Sequence, residues 1–371
     1  MMRVLIDAHM LGCRETGNET YILSLLRQRS TFAELGIDLQ GAIRWDYSPE
    51  LAWASRVAYL TCANDLHRLA CDLPRLAQQA AANLLHVTYH APFWGRLPYV
   101  VTIHDVSYRT RRRYHRPRNV LLQNVLGALS AWRARGVLTV SEFCHREILR
   151  IYPFLKGRLW VTPEAAEAHW APRPASSVEC ARARFGIRGD YLLWVGSLAS
   201  RKNPIRLVEA FLRATQESSA IQLVLAGNHA TPLGETLQRK FSEAIRQQRL
   251  ILTGYVDEET LASLYSGCSA FVFPSLYEGF GLPVLEAMQC GAPVITSNTT
   301  ALPEVAGDAA LLVDPEDADA IAAAIRRVIG EPALRAELRA RGFARARQFS
   351  WAETARLTAQ AYHAAVQARS R

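Results

Sequence analysis

Short continuous apolar runs alternate with longer stretches of helical apolar spacing over the first 165 residues. A continuous apolar run is typical of a strand buried on both faces, whereas recurrence every three or four residues is typical of an amphipathic helix. The pattern predicts strands over 3–8, 83–88, 99–105 and 136–140, and helices over 19–28, 120–134 and 142–152. Ser141 is placed to cap the last of these helices. Strands separated by helices indicate a parallel sheet covered on both faces.

A second alternating series follows a stretch of different composition. Residues 164–189 are rich in Ala, Pro and Ser without a sustained period, and we interpret 166–189 as a linker. The strands predicted beyond it are 191–196, 221–227, 250–256, 270–275, 293–298 and 311–315. The helices predicted there begin at Pro204 and Pro283, cover 233–248 and 258–266, and fill 316–371. We therefore expect two doubly wound α/β domains, 1–165 and 190–350, with a cleft where ligands bind beyond the carboxyl ends of the strands.

The composition of the 371 residues, half hydrophobic and 21% charged, is ordinary for a globular protein of about two domains. Apolar runs such as 191–199 are shorter than the ~18 residues of a membrane-spanning helix, and no signal peptide is readable. We expect a cytoplasmic protein with reduced thiols, because its seven cysteines form no C-x-x-C pair. The net charge of +9 fits nucleic acid, an anionic membrane or a phosphorylated ligand, and does not choose between them.

Residues 271–298 combine a strand, a loop with Gly279 and Gly281, and a helix that starts at Pro283. Glycines allow a backbone to approach a ligand closely, and the free amides of a helix start bind phosphate. Glu278 and Glu286 bracket this loop and could hold opposite ends of one extended ligand. The alternative is an ordinary loop followed by an acid in the first turn of a helix, which the dipole favours.

Residues 196–211 show a second strand–loop–helix junction, with Gly196 after the strand and the cations Arg201 and Lys202 in the loop. We expect Asn203 to cap the following helix, with Pro204 at its first position. Two cations directly before a helix suit a diphosphate, and a solvated loop is the alternative.

Standard nucleotide signatures are missing. The chain has no G-x-x-x-x-G-K-[ST] motif, and GFG at 279–281 lacks the third glycine of a dinucleotide fingerprint. The D-x-D at Asp317 and Asp319 lies in an acidic helical patch, so we expect no metal site and no cofactor.

The two junctions resemble one known family. The spacing of Glu278 and Glu286 within EGFGLPVLEAMQCGAPVI, and the loop GSLASRKN, are similar to the signatures of the retaining GT-B glycosyltransferases of family four. LTGYVDEETLASLY at 252–265 and TTALPEVAGDAALLVDPED at 299–317 continue the likeness. VTIHDVSY and GVLTVSEF, in the first half, resemble a bacterial subgroup that includes mannosyltransferases of surface-polysaccharide synthesis.

The resemblance implies two Rossmann-like domains that face each other across a cleft, with a nucleotide-sugar donor bound mostly by the C-terminal domain. Arg201 and Lys202 match the diphosphate ligands, Glu286 the ribose ligand, and Glu278 the acid that faces the donor sugar. His104 matches the histidine near the reaction centre, which gives Glu278, His104, Lys202 and Arg201 as the catalytic set. The donor-binding residues implied in total are Gly17, Gly196, Arg201, Lys202, Tyr255, Val256, Glu278, Gly279, Phe280, Gly281, Leu282 and Glu286.

One departure from the family concerns the loop Gly17-Asn18-Glu19-Thr20-Tyr21, where the family often has Gly-x-Gly-Arg-Tyr. Glu19 replaces the second glycine, which leaves the role of this loop open.

The implied reaction is metal-independent transfer of a sugar, with GDP-mannose the expected donor, to a saccharide or lipid-linked saccharide acceptor. In the family's usual proposal the leaving diphosphate deprotonates the acceptor on the same face of the sugar. A sugar-nucleotide epimerase of GT-B fold and a non-catalytic sugar-nucleotide-binding protein are the alternatives.

Two further segments carry expectations. The basic segment YRTRRRYHRPR at 108–118 has three interpretations. It is a solvated basic face, or it contacts an anionic membrane at the inner face of the plasma membrane, or it contacts nucleic acid, which is the least expected of the three. Residues 351–366 show an apolar stripe at helical spacing, as an amphipathic helix must bury. In the family the last helix commonly packs on the N-terminal domain, so we expect 351–371 to cross back toward residues before 165.

Overall fold

The computed structural model describes residues 1–13, 16–48, 57–61, 64–95, 97–114, 117–216 and 220–367. Two compact units make up the chain. The first comprises Met1–Glu164 together with Ser350–Arg371, and the second is the continuous stretch Ala165–Phe349. Each unit is built around one parallel sheet, so the predicted pair of α/β units is confirmed.

The sheet of the first unit has seven strands in the order β3-β2-β1-β4-β5-β6-β7. All its pairs are parallel, and the order reverses between β1 and β4, as in doubly wound folds. Its strands are β1 Met2–Asp7, β2 Ile37–Arg44, β3 Val57–Leu60, β4 Leu84–Thr88, β5 Tyr99–Thr102, β6 Gly136–Thr139 and β7 Leu159–Val161.

The helices of the first unit cover this sheet, and the predicted cap of Ser141 on Cys144 is confirmed. In chain order they are α1 Thr16–Arg27, α2 Arg29–Glu34, α3 Asp65–His67, α4 Leu73–Gln79, α5 Ser107–Thr110, α6 Pro117–Leu122, α7 Ala128–Arg133 and α8 Glu142–Ile151. A π-helical turn, Gln123–Gly127, joins α6 to α7, so 117–133 runs as one continuous helical stretch.

The sheet of the second unit has six parallel strands in the order β10-β9-β8-β11-β12-β13. Its strands are β8 Tyr191–Val195, β9 Gln222–Ala226, β10 Leu250–Gly254, β11 Ala270–Phe273, β12 Val294–Ser297 and β13 Ala310–Val313. Its helices are α9 Ala175–Phe185, α10 Pro204–Ala214, α11 Pro232–Lys240, α12 Ser242–Arg246, α13 Glu258–Gly267, α14 Leu282–Gln289, α15 Leu302–Ala306, α16 Ala318–Gly330 and α17 Pro332–Ala346.

The stretch interpreted as a linker, 166–189, contains helix α9 and belongs to the second unit. The helix starts after Pro174 and ends at Gly186, whose φ of +67° is the left-handed conformation of a helix C-cap. Only Ala181 of its eleven residues is buried, so no apolar period marks it in the sequence. This helix was not predicted from the sequence.

The last helix, α18 Trp351–Gln367, packs within the first unit. The ring of Tyr362 stacks on Phe32 with centroids 5.9 Å apart, and Trp351 lies 6.2 Å from the ring of Tyr21. Thr354 donates its hydroxyl to the carbonyl oxygen of Pro163. Helix α18 thus buries Trp351, Ala355 and Tyr362 in the first unit, whereas Val366 near its end is exposed.

Candidate active site

The carboxyl ends of β8 and β11 meet where the strand order of the second sheet reverses. Helices that follow the two strands pack on opposite faces of such a sheet, and a crevice is left between them. The loop after β8 carries Arg201 and Lys202, and the loop after β11 carries Glu278. The fold therefore brings these three sequence-predicted side chains to one position.

The loop after β8 depends on a close approach between two glycines. A Cβ on Gly227, after β9, would lie 1.9 Å from the carbonyl oxygen of Gly196, after β8. Both glycines also have φ near +150°, a conformation that other residues rarely adopt. The chain then makes a 3-10 turn over Ser200–Lys202, directly before α10. The two cations are thereby fixed at the start of a helix.

Asn203 occupies the N-cap position of α10 but does not cap the helix. Its φ is +60°, and its side chain makes no capping hydrogen bond. The side-chain amide donates instead to the carbonyl oxygens of Pro274, at 3.1 Å, and Pro315, at 2.7 Å. The predicted cap is wrong, and Asn203 ties the loop after β8 to the loops after β11 and β13.

Glu278 is the centre of an ion cluster with both cations, in which Glu278 and Lys202 are buried and the Arg201 side chain is 34% exposed. Its Oε1 lies 2.8 Å from Nζ of Lys202, and its Oε2 lies 3.2 Å from Nη1 of Arg201. Ser275 donates its hydroxyl to Oε1 at 2.5 Å, and Nζ of Lys202 lies 4.8 Å from the centroid of the Phe273 ring. One carboxylate and two cations leave a net positive charge in this cluster, which suits an anionic ligand.

Opposing effects set the protonation of this ion cluster. Burial raises the pKa of the Glu278 carboxyl, but the charges of Lys202 and Arg201 outweigh burial and hold that pKa below its ordinary value. Burial lowers the pKa of the Lys202 ammonium, and the Glu278 carboxylate is the main charge that opposes this. Glu278 is thus ionised at neutral pH, and it helps to keep Lys202 charged.

The loop and helix after Glu278 hold the remaining residues of this junction. Gly279 and Phe280 lie in the loop, and Gly281 precedes α14 with a φ of +119°. Leu282 is the first residue of the helix, and Glu286 follows one turn later. The hydroxyl of Tyr265 donates to Oε2 of Glu286 at 3.4 Å.

The charge of Glu286, like that of Glu278, opposes the lowering of the Lys202 pKa by burial, so the two glutamates act on the same cation. They do so from different places in the fold, Glu278 within the ion cluster and Glu286 on α14.

Tyr255 and Val256 follow β10, at the edge of the same sheet. Strand β9 separates β10 from β8, so these two residues do not belong to the ion cluster. The side chain of Val256 is buried, whereas that of Tyr255 is exposed.

His104 lies in the first unit, just after β5. Its Nδ1 is 3.3 Å from Oε1 of Glu164, and the Tyr21 ring packs edge-on against it with centroids 4.8 Å apart. Its Nε2 is buried without a hydrogen-bond partner among the residues described. Buried polar atoms are nearly always partnered, so this nitrogen is a candidate for ligand binding.

A chain of hydrogen bonds behind His104 was not predicted from the sequence. The Tyr21 hydroxyl lies 3.0 Å from Oγ1 of Thr102, which lies 2.7 Å from Nε2 of His86. Nδ1 of His86 lies 2.6 Å from the Tyr362 hydroxyl. Burial is the main cause that lowers the pKa of His86 to about 3, and the charge of His104 is the second cause. This histidine is therefore neutral at neutral pH. No local motif marks these residues, because they meet only through the tertiary fold.

Residues 17–21, expected to form a loop near the donor, lie instead at the start of helix α1. Oε1 of Glu19 accepts a hydrogen bond of 2.7 Å from the backbone amide of Gly12. Gly17 lies exposed in the first turn of α1, with open space where a Cβ would be. Glu19 therefore has a structural role in the position where the family often has glycine.

Two other sequence expectations bear on this site. Asp317 caps α16 by accepting from the amides of Asp319 and Ala320, and Asp319 pairs with Arg213 at 2.9 Å. The D-x-D therefore has helix-capping and surface roles. Within the described ranges, no group of three or more His, Cys, Asp or Glu side chains is placed to hold a metal ion.

The basic segment 108–118 lies partly outside the described residues, since 115 and 116 are not among them. Arg111, Arg112 and Arg113 are exposed. Tyr108, by contrast, is buried with its hydroxyl 3.3 Å from that of Tyr152. No helix among the residues described is long and apolar enough to cross a membrane.

Comparison with known proteins gives two matching family models. Residues 182–345 match the model described as glycosyl transferases group 1, and residues 17–167 match the model of glycosyltransferase family 4. The first range contains the ion cluster, and the second contains His104.

Individual proteins extend this similarity. The chain is 36% identical over 299 residues to the O-antigen chain mannosyltransferase B of Escherichia coli, which covers 78% of this chain and 77% of that protein. It is 30% identical over 234 residues to the serotype-specific mannosyltransferase WbdA of Escherichia coli, covering 62% of this chain and 29% of that protein. The solved sucrose-phosphate synthase of Thermosynechococcus elongatus has a similar fold, with a TM-score of 0.78, 22% identity and 98% of each chain covered.

Proposed function

Because the chain belongs to the group 1 glycosyltransferases of family 4, we propose that it transfers mannose from GDP-mannose to a saccharide or lipid-linked saccharide acceptor of a bacterial surface polysaccharide. The relatives that support the choice of sugar are two mannosyltransferases, one of them named for the O-antigen chain. We further propose that transfer retains the anomeric configuration and needs no metal ion.

The observation that carries the proposal is the ion cluster of Glu278, Lys202 and Arg201. The carboxylate of Glu278 lies between the buried Lys202 and Arg201, and both cations stand directly before α10. A diphosphate supplies the negative charge that this cluster lacks, and Arg binds it as a fork while Lys acts as a point charge. The free amides at the start of α14, next to Gly281, add further donors.

Each half of the donor has its own set of residues in this proposal. Glu286 accepts hydrogen bonds from the ribose hydroxyls, and the backbone at Tyr255 and Val256 contacts the base. Glu278 and the backbone of 279–282 hold the sugar, while Gly196 leaves room for the phosphates. Gly17 supplies a further close backbone contact.

In the transfer step, the bond between the anomeric carbon and the diphosphate oxygen breaks as the acceptor oxygen bonds to the same face of that carbon. The acceptor proton passes to the leaving diphosphate, so atoms and charge balance. Arg201 and Lys202 stabilise the negative charge that grows on the diphosphate, and electrostatic stabilisation of this kind is commonly the largest contribution to catalysis. For His104 we propose a contact with the reacting sugar, through the unpartnered Nε2.

A panel of nucleotide sugars tests the function. Thermal shift identifies the donor that binds, and release of the nucleoside diphosphate is measured with and without saccharide acceptors. We expect GDP-mannose to stabilise the protein and an acceptor to accelerate GDP release. Turnover that needs no acceptor and gives an epimerised donor would favour a sugar-nucleotide epimerase. Binding without turnover across a broad acceptor panel would favour a non-catalytic binding protein.

We also propose that the enzyme is cytoplasmic and meets its acceptor at the inner face of the plasma membrane, through the basic segment 108–118. The exposed side chains of Arg111, Arg112 and Arg113 support this. Nucleic acid is not expected as a partner.

A further inference from the structure

The helical stretch 117–133 of the first unit presents large apolar side chains to solvent. Leu121, Val125, Leu129 and Trp132 are 67%, 57%, 43% and 62% exposed. They are spaced by four, four and three residues, so they lie along one side of the stretch over about 16 Å. Gly127, Ser130 and Ala131 face the core of the unit instead. We call the four exposed residues the apolar stripe.

Further exposed aromatic rings lie at the C-terminal end of the apolar stripe. Arg133 donates to the carbonyl oxygen of Phe93 at 2.8 Å, which places the exposed Trp94 close by. Arg158 donates to the carbonyl oxygen of Trp132 at 3.1 Å, and its guanidinium lies 5.7 Å from the ring centroid of Phe154. Tryptophan is enriched where a protein meets the headgroup region of a bilayer, because one end of its ring system is apolar and the other is polar.

Arginines border the other end of the apolar stripe. Arg109 and Arg112 line a cavity of about 590 Å³ together with Leu121, the first member of the stripe. Arg109 also donates to the side chain of Asn124 at 3.3 Å, so its guanidinium is held beside the helix. Residues 105–135 contain eight arginines and one acidic residue, Asp105. A cationic cavity thus opens directly beside exposed apolar side chains.

We propose that this face docks on an anionic phospholipid bilayer, with the apolar stripe in the headgroup and acyl boundary and a lipid phosphate in the cavity of Arg109 and Arg112. Apolar side chains on one face with arginines beside them are the pattern of helices that lie in a membrane interface. A nucleic acid would use the arginines but leave the apolar stripe in water. Charge complementarity favours an anionic bilayer over a second copy of this strongly basic chain.

The docking face is distinct from the ion cluster, which belongs to the second unit. Its test is therefore independent of the proposed sugar transfer. A variant that loses membrane binding should still transfer sugar to a soluble acceptor, because none of the stripe residues belongs to the site described above.

The experiment is flotation of the full chain with vesicles of phosphatidylcholine alone and of phosphatidylcholine mixed with phosphatidylglycerol. We expect binding to the mixed vesicles, weakened by salt, and little binding to phosphatidylcholine alone. Leu121→Glu combined with Leu129→Glu should abolish binding. Leu312→Glu is the matched control, since Leu312 is 41% exposed but lies in the second unit.

Arg109→Ala combined with Arg112→Ala should weaken binding to the mixed vesicles by about 25-fold, since each basic residue near an anionic surface contributes about fivefold and the two factors multiply. Arg246→Ala, on the exposed surface of the second unit, should leave binding unchanged. Thermal melting establishes that each variant is folded.

Failure of the parent protein to bind the mixed vesicles would overturn the proposal, as would full binding by the folded double-glutamate variant. If the parent protein did not bind vesicles but formed concentration-dependent dimers, and the double-glutamate variant stayed monomeric, the face would be assigned to a second copy of the chain. Sugar transfer lost from the parent, with vesicle binding intact, would count against the proposed function alone.

Discussion

The hydroxyl of Tyr362 lies 2.6 Å from Nδ1 of His86, although the two residues are 276 positions apart. Both side chains are fully buried. The other ring nitrogen of His86 meets Thr102, which in turn meets Tyr21, the residue that packs on His104. A helix near the end of the chain is therefore linked to the candidate residue His104 by three hydrogen bonds and one ring contact.

Replacing Tyr362 with phenylalanine removes one link of this path and keeps the ring stacked on Phe32. Nδ1 of His86 is then left buried without its partner, which costs about 1–3 kcal/mol. We expect that loss in the free energy of unfolding, measured in urea. Tyr59→Phe is the control, because Tyr59 is exposed and should change stability by less than about 0.5 kcal/mol. Equal effects of the two variants would show that the hydrogen bond contributes nothing.

His86 also predicts how stability depends on pH. Its pKa is about 3 in the folded protein and near 6.5 when unfolded, so only the unfolded chain binds the proton between these values. The contribution of neutral His86 to the free energy of unfolding is fully present above pH 6.5. It falls by about 1.4 kcal/mol per pH unit as the pH drops toward 3. His90, whose pKa burial also lowers, acts in the same direction.

The contribution of His86 is isolated by comparing the parent with His86→Gln. The slope of unfolding free energy against pH should be smaller in the variant between pH 6 and 4.5. Asp7 contributes little to this slope between pH 6 and 4.5. Burial raises its pKa, but Arg68 and His9 outweigh burial and hold the pKa at about 2, below an ordinary value of 3.8. Identical slopes would mean that His86 is protonated in the folded protein.

Lys202→Ala should weaken the binding of GDP by about 1.5–3 kcal/mol, as expected for a charge-assisted hydrogen bond. Arg201→Ala should act in the same direction. Calorimetry below the melting temperature measures both, because loss of a buried ion-pair partner also destabilises the fold. Lys240→Ala is the control, since Lys240 pairs with Glu209 on the surface. Unchanged affinity in both site variants would remove this loop from the donor site.

The two glutamates should differ in their kinetics. Glu286→Gln should mainly raise the KM for the donor, because Glu286 is proposed to hold the ribose in ground and transition states alike. Glu278→Gln should mainly lower kcat, because it alters the charge that positions Lys202 beside the leaving group. Steady-state kinetics over a range of donor concentrations separates the two effects. If Glu278→Gln changed only KM, its place beside the reacting sugar would be lost.

Metal chelation gives a further prediction. Asp317 and Asp319 are engaged in capping α16 and pairing with Arg213, so we expect transfer to continue in saturating EDTA. Product formation is measured before and after chelation, with a known metal-dependent enzyme treated in parallel. Complete loss that manganese or magnesium specifically restores would contradict the prediction.

The sequence predicted those elements whose apolar pattern is uninterrupted, such as β8, β9 and β11, because strands buried on both faces show continuous apolar runs. It missed β2, whose Asp38, Gln40 and Gly41 break the run, and α9, which buries one residue.

In the site, the cations and Glu278 were predicted because they lie in loops that join a strand to a helix. The side-chain contacts of Asn203 and the partners of His86 could not be predicted. Each is fixed by loops and helices that are distant in the sequence and meet only in the fold.

The membership of Ser350–Arg371 in the first unit has a consequence for biosynthesis. The second unit is one uninterrupted stretch, so all of it leaves the ribosome before the last helix of the first unit does. The first unit begins earlier yet finishes later, and until α18 emerges the aromatic surface of Tyr21 and Phe32 lacks its cover. The usual order of domain completion, from the N-terminus onward, is therefore inverted. Until α18 emerges, the first unit is therefore the part of the chain whose apolar surface is uncovered.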